Sequence, residues 1–157
     1  MNRPTIRAAS VIVVGARVVL GLLFLREGYV KYHAGFGAAD IRLVVRSAVT
    51  NPRVPEQFTW FATEIMDQFA TGLGVLVPIT EVALGAAAVL GILPRVVALG
   101  AVALLSVYWA SDQLIAQYPP MVLFSGVILA GGTLAQICSV PAILTRRVRG
   151  RAPAPNA

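Results

Sequence analysis

Four long apolar runs follow one another along the chain, and most polar residues collect between them or at their ends. The runs cover about residues 11–30, 71–93, 96–116 and 121–140. Each run is close to the roughly 20 residues that a helix needs to cross the apolar part of a bilayer. The pattern therefore predicts an all-α protein, a single four-transmembrane-helix bundle over residues 1–145.

Residues 32–70, between the first two runs, are the least apolar part of the chain. Prolines after Asn51 and Val54 interrupt any helix in the first half of this segment. In the second half, apolar residues at helical spacing indicate an amphipathic helix. Its predicted apolar face consists of Phe58, Phe61, Ile65 and Phe69. This helical insertion either lies at the membrane interface or caps the bundle outside the membrane.

Two glycines, two basic residues and one phenylalanine share one face of the first run. At ~100° per residue they recur at steps of three or four along a helix. They are Arg17, Gly21, Phe24, Gly28 and Lys31. Because two of them are glycines, another helix backbone can come close to this face. We expect the rest of the bundle to pack around it.

The second run has a similar face, which carries a carboxyl group. It consists of Gly74, Pro78, Glu81, Gly85 and Ala88. Pro78 removes one backbone hydrogen bond and predicts a kink. A carboxyl group near the middle of a bilayer costs about 2.5–3.5 kcal/mol, so Glu81 needs a partner or a proton.

Arg17 and Glu81 are the candidate catalytic residues. Counted from the cytoplasmic ends of their helices, they differ in depth by roughly 9 Å, which long side chains can bridge. The pair is either a polar, proton-accepting site between the first two helices or a structural ion pair that fixes helix register. A ligand between these helices would contact Arg17, Gly21, Gly28, Lys31, Glu81 and Gly85.

A second polar group is predicted at the outward end of the bundle. Glu27 and Lys31 have the i,i+4 spacing of a helical ion pair. His33 can exchange a proton near neutral pH. Asp112 follows Trp109 by three residues, about one helical turn. The predicted outward polar cluster is therefore Glu27, His33 and Asp112, beside Lys31.

The net charge of +6 comes from residues at the ends of the runs and in the tail. This distribution is typical of membrane topology and of contact with lipid head groups, and it argues against nucleic acid binding. The basic N-terminus, the turn at Arg95 and the basic tail predict a multi-pass protein of the cell membrane with both termini in the cytoplasm. Residues 146–157 are predicted to be a disordered tail.

The chain has one cysteine, Cys138, and one histidine, His33. An internal disulfide and a CxxC redox pair are therefore excluded. A Cys/His metal site or a bis-histidine haem cannot be built from one chain. We expect no metal site and no cofactor built by this chain.

The segment GLLFLREGYVK at residues 21–31 resembles the LGxxFLxxGxxK element of the DoxX-like family of small four-helix membrane proteins. Arg17 matches an arginine that is common early in the first helix of that family. The matching residues of the second helix and the basic turn are Glu81, Gly85, Gly91 and Arg95. The resemblance covers about residues 11–140, whereas the long insertion and the basic tail depart from the family pattern.

The resemblance implies a four-span bundle linked to redox chemistry. Some DoxX-like proteins are quinone-linked membrane subunits, such as that of thiosulfate:quinone oxidoreductase, and others associate with terminal oxidases or redox-defence complexes. Three functions therefore stay open. The first is an accessory subunit that joins other subunits of a membrane redox complex, and the second is a quinone-binding oxidoreductase subunit with Glu81 as proton acceptor. The third is a small proton-coupled transporter or lipid-binding bundle. The small number of reactive side chains favours the first, and whether the chain is an enzyme stays open.

Overall fold

The computed structural model describes residues 3–137 and 139–140, and in this part of the chain the regular secondary structure is entirely helical. The predicted all-α class is thus confirmed. Cys138 and the predicted tail at residues 146–157 lie outside the described residues. The elements in order are α1 (Arg3–His33), α2 (Ala38–Thr50), α3 (Glu56–Phe61), a π-helical turn (Ala62–Met66), α4 (Ala70–Leu90), α5 (Pro94–Ala110), α6 (Tyr118–Gly131) and a 3₁₀ turn (Gly132–Gln136).

Three helical segments among the described residues are long and apolar enough to cross a membrane. They are Pro4–His33, Ala70–Leu90 and Tyr118–Gln136. The remaining long apolar helix, α5, has 17 residues. Large apolar side chains point away from the bundle on all of these helices, among them Leu22, Val75, Leu99 and Leu123. Because monomeric soluble proteins rarely expose so much contiguous apolar surface, this surface is compatible with a membrane protein.

The ends of the third and fourth predicted spans differ from the sequence pattern. α5 ends at Ala110 rather than near residue 116, since Asp112 adopts a left-handed conformation with φ of 60° that a helix cannot contain. α6 begins at Tyr118, inside the predicted turn, and includes Pro119 and Pro120 in its first turn. Prolines fit there because the first helical N–H groups have no intrahelical acceptor.

Helices α1 and α4 approach closely, as their small residues predict. A Cβ atom built on Gly21 would lie 2.8 Å from the carbonyl oxygen of Gly85, and one built on Gly28 would lie 2.9 Å from that of Pro78. All five members of the predicted α4 face are buried, and α4 is continuous through Pro78. The close contact fixes the register of α4 against α1, and this register decides which residues Glu81 can reach.

The insertion contains one helix more than the sequence pattern predicts. Its first half forms α2, which ends at Thr50 before the predicted proline break. The Asp40 side chain accepts a hydrogen bond of 2.9 Å from the Gly37 N–H at the start of α2. The end of α2 and the start of α3 at Glu56 therefore agree with the predicted break at residues 51–55.

The predicted apolar face of the second helix of the insertion is wrong in phase. The π-helical turn, with a bond from the Asp67 N–H to the Ala62 carbonyl oxygen, adds one residue to the helical repeat. As a result Phe58, Ala62 and Met66 pack inwards. Three of the four residues of the predicted apolar face, Phe61, Ile65 and Phe69, are exposed together with Trp60. The insertion has a small apolar core of its own, which includes Ile41, Val45, Phe58 and Met66.

Candidate functional site

Glu81 is completely buried in the bundle and contacts two polar side chains. The Lys31 Nζ lies 2.5 Å from its Oε1 atom. The Tyr108 hydroxyl donates a hydrogen bond of 2.6 Å to the same oxygen. Three helices meet here, because α1 supplies the lysine, α4 the glutamate and α5 the tyrosine. The Lys31 ammonium group is therefore the ion-pair partner that the buried carboxyl group of Glu81 needs.

A chain of polar contacts leads from this pair to the surface of the bundle. Lys31 Nζ is also 3.7 Å from Glu27 Oε2, which is the predicted i,i+4 pair. Gln117 at the start of α6 donates a hydrogen bond from Nε2 to Glu27 Oε1. Arg26 donates a hydrogen bond of 3.0 Å to Gln117 Oε1. Since 62% of the Arg26 side chain is exposed, the buried carboxyl groups connect to the surface through a few hydrogen-bonding steps.

An apolar cavity of about 360 Å³ lies between the insertion and the bundle, next to Lys31 and Tyr108. This volume is at the lower end of the range for small-molecule sites, about 300–1,000 Å³. Lys31, Tyr108, Thr80, Ser111 and Gln113 supply polar groups at its wall. Its apolar wall includes Phe36, Ile41, Phe58, Met66, Leu73 and Leu104. A largely apolar cavity with a few convergent polar groups is the common form of a ligand site.

A larger groove of about 840 Å³ lies between α1 and α4 and includes Gly28 and Pro78 in its lining. Its walls are almost entirely apolar, and several of its residues, such as Tyr32 and Ile79, are exposed. Its one charged lining residue is Arg26, whose side chain is 62% exposed, whereas the smaller cavity is lined by Lys31, whose side chain is only 15% exposed and pairs with Glu81. We therefore regard the smaller cavity as the candidate site.

Arg17 does not join Glu81, contrary to the predicted pairing. The buried guanidinium donates a hydrogen bond of 2.8 Å to the Ala135 carbonyl oxygen and lies 3.5 Å from that of Ile137. It also lies beside Gly91, at the opposite end of α4 from Lys31. The prediction failed because it assumed equal depths for helix ends, whereas the observed register places Gly21 beside Gly85 and Gly28 beside Pro78.

The predicted outward cluster is divided among three places. Glu27 belongs to the buried network, and His33 is exposed, with its Nδ1 3.0 Å from the Tyr29 carbonyl oxygen. Asp112 accepts hydrogen bonds from Asn51 and Arg53 of the loop between α2 and α3. These bonds hold the pKa of Asp112 below its ordinary value. His33 lies six residues after Glu27, so a helix turns it by roughly 240° away from that face.

The three glycines of the predicted ligand set, Gly21, Gly28 and Gly85, lie at the α1–α4 contact. Tyr108, Gln117 and Tyr118 complete the network, and the sequence pattern did not identify them as site residues. An aromatic pair near a helix end, such as Tyr108 and Trp109, is compatible with the head-group level of a membrane, but Tyr108 is buried whereas Trp109 is 70% exposed. The buried face of α5 could have been predicted from the helical spacing of four residues, Ala98, Ala101, Leu105 and Tyr108.

Within the described residues, no group of three or more histidine, cysteine, aspartate or glutamate side chains is arranged to hold a metal ion. No family model matches this chain, and neither a curated protein nor a solved structure does. The geometry of the Glu81 network and its cavity is therefore the basis for assigning a function.

Proposed function

We propose that this chain is a four-span membrane protein of the DoxX-like type that binds a quinone-like ring beside Lys31 and Tyr108, as a subunit of a membrane redox complex. The observation that supports this proposal is the contact between the apolar cavity and the Lys31–Glu81–Tyr108 group. A quinone has a flat apolar ring with polar carbonyl groups at its edge. The cavity offers apolar walls for such a ring and an ammonium group at one end.

Helix α5 supports the fourth span of the proposal. Its 17 residues extend about 25 Å, close to the roughly 30 Å of the apolar bilayer. It begins after Gly91, beside Arg17, and its last turn carries Tyr108, beside Lys31. It therefore runs from one end of the bundle to the other. With four spans, the positive-inside rule favours a topology in which both termini are in the cytoplasm and the insertion is outside.

Each side of the cavity has a definite part in the proposed binding. The Lys31 ammonium group can donate a hydrogen bond to a ring carbonyl oxygen, and 15% of its side chain is exposed. Glu81 and Tyr108 hold the lysine in place from behind. Leu76 and Val107 line the cavity and are also exposed on the outer surface of the bundle, at 57% and 40%. An isoprenoid tail could leave the cavity between them towards lipid.

A partner subunit would supply the electrons. With one cysteine and one histidine, the chain offers few ligands for an electron carrier of its own. This agrees with a role as a subunit and with the DoxX-like resemblance. The chain would contribute the ring site and its polar contacts, and it would contact other subunits and membrane lipids.

Filling the cavity tests the binding proposal directly. In nanodiscs, we expect the protein to bind a short-chain ubiquinone analogue, and Val77→Phe to raise the Kd about tenfold or more, since a benzyl group would occupy part of the cavity. Val75→Phe is the matched control, because Val75 lies on the same helix but is 58% exposed. Absence of binding, or an equal loss in both variants, would contradict the proposed ring site.

Purification from native membranes in a mild detergent tests the assignment to a complex. Mass spectrometry of the co-purifying chains should identify respiratory or sulfur-oxidising redox subunits. Recovery of this chain alone would refute its role as a subunit while leaving the ring site to the binding experiment.

A further inference from the structure

Two buried carboxyl groups share the ammonium group of Lys31, whose side chain is 15% exposed. Glu81 is 0% exposed and Glu27 is 8% exposed, and Lys31 contacts both. Arg26 Nη1 lies 3.6 Å from Glu27, but most of its side chain is exposed to the surroundings. If both carboxyl groups were ionised, the buried part of the network would carry one uncompensated negative charge. Such a charge is costly in an apolar interior and is usually removed by protonation.

The hydrogen bonds of the network indicate where a proton would fit. The Oε2 atom of Glu81 is buried and has no hydrogen-bond partner among the described residues. An ionised carboxylate would leave a charged oxygen buried without a donor, which costs more than leaving an oxygen of a neutral carboxyl group unpaired. The Tyr118 ring stacks on Tyr108 at 5.1 Å, and its buried hydroxyl group also makes no hydrogen bond of ordinary geometry to described residues.

We propose that Glu27 and Glu81 together form a proton-binding site that holds one proton at neutral pH and exchanges it with the aqueous surface at Arg26. The titratable groups that face this site are Arg26 and Lys31 from α1, Tyr108 from α5 and Tyr118 from α6. The proposal concerns the protein without any ligand and does not depend on the ring site.

The exchange route follows the observed contacts. Lys31 contacts both carboxyl groups, and Glu27, whose side chain is 10% exposed, is the one that lies nearer to the surface at Arg26. The Gln117 amide and the Arg26 guanidinium only donate towards Glu27, so they orient this carboxyl group and do not carry the proton. When the site releases its proton, a carboxyl O–H bond breaks and the proton passes to water at the surface. The lysine keeps its charge, so the site changes from neutral to one negative charge.

Infrared spectroscopy of the purified full-length protein in nanodiscs tests this proposal. A protonated carboxyl group has a C=O stretching band separate from those of a carboxylate, and the other five acidic residues lie on the insertion or in the loop after α5. We expect one such band at pH 7 that shifts in D₂O, because the site exchanges with water. Glu27→Gln and Glu81→Gln should each abolish it, since the remaining carboxylate then pairs with Lys31 alone.

Glu64→Gln, an exposed acid of the insertion, is the matched control and should keep the band. Absence of the band in the wild-type protein at pH 7 would overturn the proposal, whatever the variants do. A band that persists unchanged in both glutamine variants would overturn it as well. Neither outcome bears on quinone binding, which is measured separately.

Discussion

The bundle buries a cation near each of its two ends, and the surroundings of the two cations differ. Arg17 donates hydrogen bonds to two backbone carbonyl oxygens of the segment after α6, those of Ala135 at 2.8 Å and of Ile137 at 3.5 Å. Lys31 contacts two carboxyl groups and lines a cavity. Both residues lie on the same face of α1, and the sequence pattern presented them as equivalent.

The different surroundings of the two cations indicate which of them is a candidate for a chemical role. The described contacts of Arg17 are with carbonyl oxygens, which do not titrate, and they join α1 to the segment after α6. Lys31 contacts two carboxyl groups, and the cavity gives a ligand access to the lysine. Among the described contacts, the carboxyl partners and the open volume distinguish the Lys31 end.

The largest effect should come from breaking the charge balance at the Lys31 end. Lys31→Met leaves two buried carboxyl groups without their ammonium group and should lower the free energy of unfolding by about 3 kcal/mol. The double variant Lys31→Met/Glu81→Gln should be more stable than Lys31→Met alone, because it removes one of the two uncompensated groups. SDS titration in mixed micelles measures both. Additive losses would show that the pair is not coupled.

A smaller effect is expected at the Arg17 end. Arg17→Met leaves buried carbonyl oxygens without a donor and should lower the free energy of unfolding by about 2 kcal/mol. Quinone binding should stay unchanged, in contrast to Lys31→Met, which should weaken it. Arg17→Lys is the control that retains the charge. Weakened binding in a stably folded Arg17→Met protein would mean that the two ends are not functionally distinct.

The smallest effect is expected at the exposed contact between Asp112 and the α2–α3 loop. Asp112→Asn should accelerate hydrogen exchange at the end of α2 by no more than about fivefold, because exposed ion pairs contribute little. The bonds from Asn51 and Arg53 lower the pKa of Asp112 in the folded protein, so this contact is retained at neutral pH and is lost only as the pH falls through that lowered pKa. Glu64→Gln is the control, and equal exchange in both variants would show that the contact does not hold the loop.

The packing of α1 against α4 could be predicted from the sequence, because small residues at helical spacing report a close helix contact directly. All five residues of the α4 face are buried as predicted. The partner of Glu81 could not be predicted in the same way. A periodic pattern gives the face of each helix but leaves the axial shift between two helices free. The choice between Arg17 and Lys31 depends on that shift, which the packed glycines decide.

Tyr108 and the insertion show a second limit of the pattern. An aromatic pair near a helix end is compatible with a membrane interface, and only the packing of α5 shows that one ring is buried and the other exposed. In the insertion, the prediction assumed an uninterrupted α-helical repeat. The π-helical turn violates that assumption, and no residue in Ala62–Met66 marks it in the sequence.

The extra residue in the π-helical turn also has a genetic consequence. Deleting one codon within residues 62–66 would restore an ordinary α-helical repeat. Because the π-helical turn absorbs the extra residue locally, the preceding helix would keep nearly the same orientation relative to α4, and Phe58 would still face the cavity. A single in-frame deletion at this point should therefore be tolerated, with the ligand space and all four apolar runs intact.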